Sequence, residues 1–202
     1  MAKLIVYYAH PGHKYSHVNC KMSRAALEVD GVTYVDLYAD YPRFDINVDV
    51  EQQRLLDHDV ILFQFPMFWY STPSILKEWQ DIVLEHGFAY GAGGDNLAGK
   101  TMILAITAAG PEDAYSAGGY QHYPIRDFLR PLEQTANLCE MRFAPPYVLY
   151  SALKAPKVGE VEPHVEGYRD LLKSIRDDRY DFNAGGVNDV FGYATLPIRK
   201  ES

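Results

Sequence analysis

The chain predicts an α/β fold, a three-layer sandwich in which a five-stranded parallel sheet carries helices on both faces. Three observations lead there. Apolar, β-prone runs alternate with amphipathic runs of helical period along most of the chain. The first run, residues 4–9, is apolar without alternation, as expected of a strand covered on both faces. At 202 residues, 48% hydrophobic and 23% charged, the chain suits one soluble domain with a full core.

The elements follow in order. Strands are expected at 3–8, 32–37, 60–65, 101–107 and 143–150, and helices at 17–29, 48–57, 73–86, 123–139 and 161–178. Thr72 suits the cap and Pro73 the first turn of the third helix, with Gly87 as its stop. Five strands in this alternation give the flavodoxin-like order 2-1-3-4-5, with ligands at the carboxyl ends of the strands. The domain is expected to span 1–180. A tail over 181–202, with Gly185-Gly186 and little helical period, has two readings: disorder, or wrapping of a partner subunit.

Composition excludes several classes. A net charge of −8 argues against nucleic-acid binding. No apolar run approaches the roughly 20 residues that span a bilayer. Immediate entry into a strand leaves no secretory signal expected, and Cys20 and Cys139 form no disulfide framework, so a cytoplasmic protein with free thiols is the expectation. Gly91-Ala92-Gly93-Gly94 follows a helix and precedes a strand, the wrong order for a dinucleotide loop. A receiver domain needs an Asp ending the third strand and acidic residues after the first; Phe65 and His10 stand there instead. Neither a nucleophile elbow nor a P-loop occurs.

Three stretches carry chemistry. The first follows strand one and holds His10, His13, Ser16, His17, Val18 and Asn19. A helix beginning near His17 points free amides into this loop, and helix N-termini bind anions, phosphate above all. The histidines are also spaced like metal ligands, but no Cys or nearby carboxylate completes a set, so no metal is expected. The plainer reading is a polar turn with exposed histidines. The second stretch, Pro66-Met67-Phe68-Trp69-Tyr70 after strand three, is large and apolar in a loop, which suits the wall of a planar cofactor site with backbone N–H groups free for the ring edge. A core plug or dimer contact is the alternative. The third, Thr107-Ala108-Ala109-Gly110, lets a backbone approach a ligand closely; beyond it Tyr115 and His122 could donate to a developing anion, or belong to a tyrosine-rich surface loop.

In this order, the three stretches resemble the flavodoxin-like NAD(P)H:quinone reductase family, which includes DT-diaphorase. Further motifs agree: Asp36-Leu37-Tyr38 with Tyr41-Pro42-Arg43-Phe44, Leu76-Lys77-Glu78-Trp79, and Gly87-Phe88-Ala89-Tyr90-Gly91 with Leu97-Ala98-Gly99-Lys100. Within the family, the chain resembles the bacterial ancillary proteins of glutathione-gated potassium efflux systems. The likeness covers about residues 3–155. The family's Thr-Thr-Gly-Gly is Thr107-Ala108-Ala109-Gly110 here.

The resemblance implies flavin phosphate at His10, Ser16, His17, Val18 and Asn19, and isoalloxazine against Met67, Phe68, Trp69 and Tyr70 and against residues 107–110. It implies catalytic roles for Tyr115 and His122, the latter one residue out of step. Members use FMN or FAD, and with no adenine pocket evident FMN is favoured. The implied activity is two-electron transfer from NAD(P)H through flavin to a quinone, in a homodimer. The alternative is a regulatory flavoprotein docking on a potassium efflux transporter. The location implied is the cytoplasm, including the inner face of the cell membrane.

Overall fold

Leu4–Tyr8 (β1), Val60–Pro66 (β3) and Thr101–Thr107 (β4) are buried at every position, because side chains on both faces of each strand meet helices. The computed structural model describes residues 1–186 and 189–199. Its sheet runs β2-β1-β3-β4-β5, all parallel, with β2 spanning Val32–Asp36. This is the 2-1-3-4-5 order expected. The register sets Tyr8 beside Gln64, and Pro66 beside Thr107, so the three central strands end together.

The fifth expected strand is two short ones, Arg142–Phe143 (β5) and Tyr147–Leu149 (β6), both paired with β4. Pro145 and Pro146 lie between them, and proline has no N–H for a ladder. Helices are Asn19–Leu27 (α1), Leu37–Asp40 (α2), Val48–Asp57 (α3), Ser74–Val83 (α4), Ile125–Phe128 (α5), Arg130–Leu138 (α6), Ala155–Val158 (α7) and Val161–Arg176 (α8).

Several boundaries differ from expectation for local reasons. α1 begins at Asn19, whose N–H donates to Ser16 Oγ. Asp36 ends β2 and caps α2 by accepting from the Tyr38 and Ala39 amides. Pro73 rather than Thr72 occupies the α4 cap, with no side-chain bond, and α4 ends before Gly87, which turns the chain at φ 83°. The helix expected over 123–139 breaks at Leu129 into α5 and α6, with Pro131 in the first turn of α6.

Alternate strand residues feed two core layers. Ile5, Tyr7, Phe63 and Leu104 meet Trp79 of α4 and Leu55 of α3, whereas Leu4, Val6, Leu62 and Ile103 meet Met22 of α1 and Leu171 of α8. The expectations for the tail reach residues 187–188 and 200–202, which lie outside the described residues. The described tail lies against its own chain: the Phe191 N–H donates to Pro146 O, and Phe191 O accepts from Val148 N–H. Tyr180 and Ile198 form an antiparallel bridge. Gly167 of α8 is needed for this packing, since a Cβ there would stand 2.4 Å from Tyr193 Cβ.

Candidate active site

The shared end of β1, β3 and β4 opens into a cleft of about 300 Å³. His10, immediately beyond β1, is largely buried and accepts the Gly12 N–H at Nδ1, 3.1 Å. That bond places the proton of a neutral ring on Nε2. Burial, helped by His13, holds its pKa below the usual histidine range, so the ring is neutral at pH 7 and Nε2–H is a donor. His13 itself turns away, with Nδ1 2.7 Å from Tyr8 Oη.

Ser16, His17, Val18 and Asn19 curve round the N-terminus of α1 and line the same cleft. The backbone amides of His17 and Val18 donate to no acceptor among the described residues. Asn19 is pinned from beneath: its Nδ2 donates to Thr107 Oγ1 at 2.9 Å, and its carbonyl accepts from Gln64 Nε2 at 3.0 Å. Tyr168 Oη in turn donates to Gln64 Oε1. Asn19 Oδ1 is buried with no partner among the described residues. Free amides, a neutral imidazole donor and the Ser16 hydroxyl at a helix N-terminus suit a phosphate.

Pro66, Met67 and Phe68 form the next wall, with the Phe68 ring edge-on to His10 at 5.7 Å. The expectation of free amides through this loop holds only in part. Met67 N–H donates to Thr107 O and Phe68 N–H to Pro66 O, whereas those of Trp69 and Tyr70 have no acceptor among the described residues. Trp69 and Tyr70 have φ of 49° and 66°, between Phe68 and Ser71, which bridge each other. Two successive bulky residues at positive φ cost about 1–3 kcal/mol each and tend to mark functional positions. The turn leaves Trp69 92% exposed and sets Tyr70 on Phe128, ring centroids 5.0 Å apart.

Thr107 and Ala109 complete the cleft. Ala108 is buried, its N–H donating to Leu149 O, and Gly110 O accepts from Ser151 N–H. Tyr115 stands next to Gly110: a Cβ on that glycine would lie 3.1 Å from Tyr115 Cε2. Burial raises the Tyr115 pKa, so the phenol stays protonated. His122 is exposed, at φ 65°.

The cleft therefore gathers His10, Ser16, His17, Val18, Asn19, Pro66, Met67, Phe68, Thr107 and Ala109, whereas Trp69, Tyr70, Ala108, Gly110, Tyr115 and His122 stand outside its lining. Sequence reasoning missed Gly12, Tyr15, Ala152 and Leu153, which also line it. The available signal was Leu153, a large apolar residue just past the last expected strand.

Residues 2–172 match the family described as having a flavodoxin-like fold, and the chain belongs to that family. It is 46% identical over 172 residues to the glutathione-regulated potassium-efflux system ancillary protein KefG of Serratia proteamaculans, covering 85% of this chain and 93% of that protein. It is also 46% identical over 173 residues to the NAD(P)H oxidoreductase YrkL of Bacillus subtilis, covering 85% and 98%. Among solved structures, general stress protein 14 of Treponema denticola in complex with FMN superposes with TM-score 0.79 at 33% identity, covering 86% of this chain and 99% of that one. An NADPH-quinone reductase from P. pentosaceus gives TM-score 0.73 at 27% identity, covering 84% and 96%.

Proposed function

We propose that this protein is an FMN-dependent NAD(P)H:quinone oxidoreductase. The observation that carries the reading is the convergence of the α1 N-terminus, the 66–68 wall and Thr107 with Ala109 on one cleft at the ends of the central strands. The relatives named as an NAD(P)H oxidoreductase and an NADPH-quinone reductase, and the FMN-bound neighbour, support it. When bound, FMN supplies the hydride acceptance and release that link NAD(P)H to a quinone.

The chain's own residues have separate tasks. The amides of His17 and Val18, His10 Nε2–H and the Ser16 hydroxyl hold the phosphate. Asn19 keeps the helix end fixed to Thr107, so that the phosphate and ring regions share one rigid frame. Met67 and Phe68 offer an apolar wall, and the Trp69 and Tyr70 amides are free for a polar ring edge. Tyr115, with support from His122, donates toward negative charge developing in the site. Retention of flavin tests the assignment: the purified protein is expected to be yellow and to release FMN on denaturation. A colourless protein that binds neither FMN nor FAD in fluorescence titration overturns it.

Ser16→Ala is expected to weaken FMN roughly 10-fold or more, because a hydrogen bond to a charged acceptor contributes about 1.5–3 kcal/mol. The same change removes the oxygen that accepts the Asn19 N–H, so about 0.5–2 kcal/mol of stability is lost too. Flavin titration and denaturant unfolding read the two effects separately. Unchanged flavin affinity removes Ser16 from the phosphate site.

The chain is further proposed to form a twofold dimer. Tyr15, Phe68, Trp69 and Leu153 are exposed around the cleft mouth, a patch that suits burial against a second copy. Light scattering at micromolar concentration is expected to give twice the chain mass; a fully active monomer contradicts this.

The likeness to KefG favours a second, compatible reading, in which the flavoprotein docks on a potassium efflux transporter at the inner face of the membrane. Among the described residues no helix is long and apolar enough to cross a membrane. Co-purification with the transporter tests this reading.

A further inference from the structure

A second cavity, of about 280 Å³, lies at the edge of the sheet where β5 begins. Its walls are Arg126 of α5, Glu133 of α6, Arg142 and Phe143 of β5, and residues 182–186 of the tail. β5 pairs with Thr101 and Met102 at the start of β4, so this cavity sits toward the opposite end of the sheet from the flavin cleft. The tail wall lies beyond the residues that match the family.

Arg126 is only 3% exposed. Its Nη2 reaches Glu133 Oε1 at 3.5 Å, the long limit of a hydrogen bond, and Nε and Nη1 have no acceptor among the described residues. Glu133 is shared with Arg130, at 3.1 Å. Asp189, the other nearby acid, accepts the Gly186 N–H at 2.6 Å. The guanidinium lies over the Phe143 ring, Cζ 4.9 Å from its centroid. One face of the cation is thus covered by an aromatic ring, while Nε and Nη1 lack partners among the described residues.

Buried charges with open donors are costly, and native proteins almost always complete them. A planar guanidinium stacked on an aromatic is matched chemically by a carboxylate or a phosphate. A cation would be repelled by Arg126 and Arg142, and Glu133, shared with Arg130 and reached only at 3.5 Å, leaves the Nε and Nη1 donors of Arg126 open for an anion. Gly185 and Gly186 are among the tail residues that line it, and the cavity has room for a compact ligand. We propose that this cavity is a binding site for a small oxyanion, a carboxylate or phosphate, held by the Arg126 guanidinium with Arg142 at its rim.

The test is calorimetric titration of inorganic phosphate and, separately, succinate into the full chain saturated with FMN, which occupies the phosphate region of the other cleft. Saturable binding of at least one anion is expected, and Arg126→Gln should weaken it roughly tenfold or more. Binding of phosphate alone or succinate alone identifies which oxyanion the site accepts. Arg142→Ala, at an exposed position, should weaken it less. No saturable binding of either anion overturns the proposal, as does wild-type affinity in a folded Arg126→Gln. If Arg126→Gln does not fold, wild-type affinity in Arg142→Ala overturns it. The comparison of variants keeps the result separate from the flavin reading: binding that survives Arg126→Gln but is lost in Ser16→Ala belongs to the other cleft.

Discussion

Tyr115→Phe is expected to slow flavin reduction by NAD(P)H about 100-fold while leaving the bound flavin spectrum nearly unchanged. The Tyr115 ring is held edge-on by Phe128 at 6.1 Å and tilted against Tyr150 at 5.6 Å, so its phenol has a fixed direction. Burial keeps the phenol protonated, and the Gly110 backbone interacts with its oxygen. Removing one preorganised donor to developing charge typically costs about 2.7–4 kcal/mol, or 100- to 1000-fold in rate. Since Tyr115 flanks the cleft rather than lining it, the lower end is expected. His122→Gln should have a smaller effect, because His122 is exposed on the same loop. Stopped-flow reduction at the wild-type rate in both variants would show that this loop only covers the site.

Glu51→Ala is expected to destabilise the fold by about 3–5 kcal/mol, the usual loss when a buried ion pair is broken. Glu51 is fully buried on α3. Its Oε1 accepts from Tyr41 Oη and from Arg54 Nη1, each at 2.6 Å, and its Oε2 from Trp79 Nε1 at 3.0 Å. Trp79 packs against Tyr7 of β1 and Phe63 of β3. One carboxylate therefore joins α3, α4 and the loop after α2 above one face of the sheet. Arg54 is partly exposed and regains water in the variant, which places the loss toward the lower value. Denaturant unfolding reads it, and an unchanged midpoint would contradict the role assigned to Glu51.

The parts of the fold that were legible are those where one physical rule dominates. Unbroken apolar runs at β1, β3 and β4 follow from burial on both faces, and nothing in those segments competes with that rule. The run over 143–150 looks continuous in apolar content, but Pro145 and Pro146, with no N–H groups for a ladder, divide it. The cleft was legible in its three main walls, since the loops after β1, β3 and β4 must meet where those strands end. Its remaining wall, Ala152 and Leu153, depends on where β6 pairs with β4, which periodicity does not encode. No glycine or asparagine marks the positive-φ turn at Trp69 and Tyr70, so tertiary context alone imposes it. Arg126 and Glu51 belong to residue types that are usually exposed, and only the assembled layers bury them.

Under the proposed function, this cleft passes electrons from a nicotinamide to a quinone through bound flavin. Anaerobic mixing of the FMN-loaded protein with one equivalent of NADPH or NADH measures it directly. The flavin absorbance is expected to bleach and then to return in full when one equivalent of a water-soluble quinone is added. Flavin that stays oxidised with both nucleotides, or that is reduced but does not pass its electrons to the quinone, would contradict it.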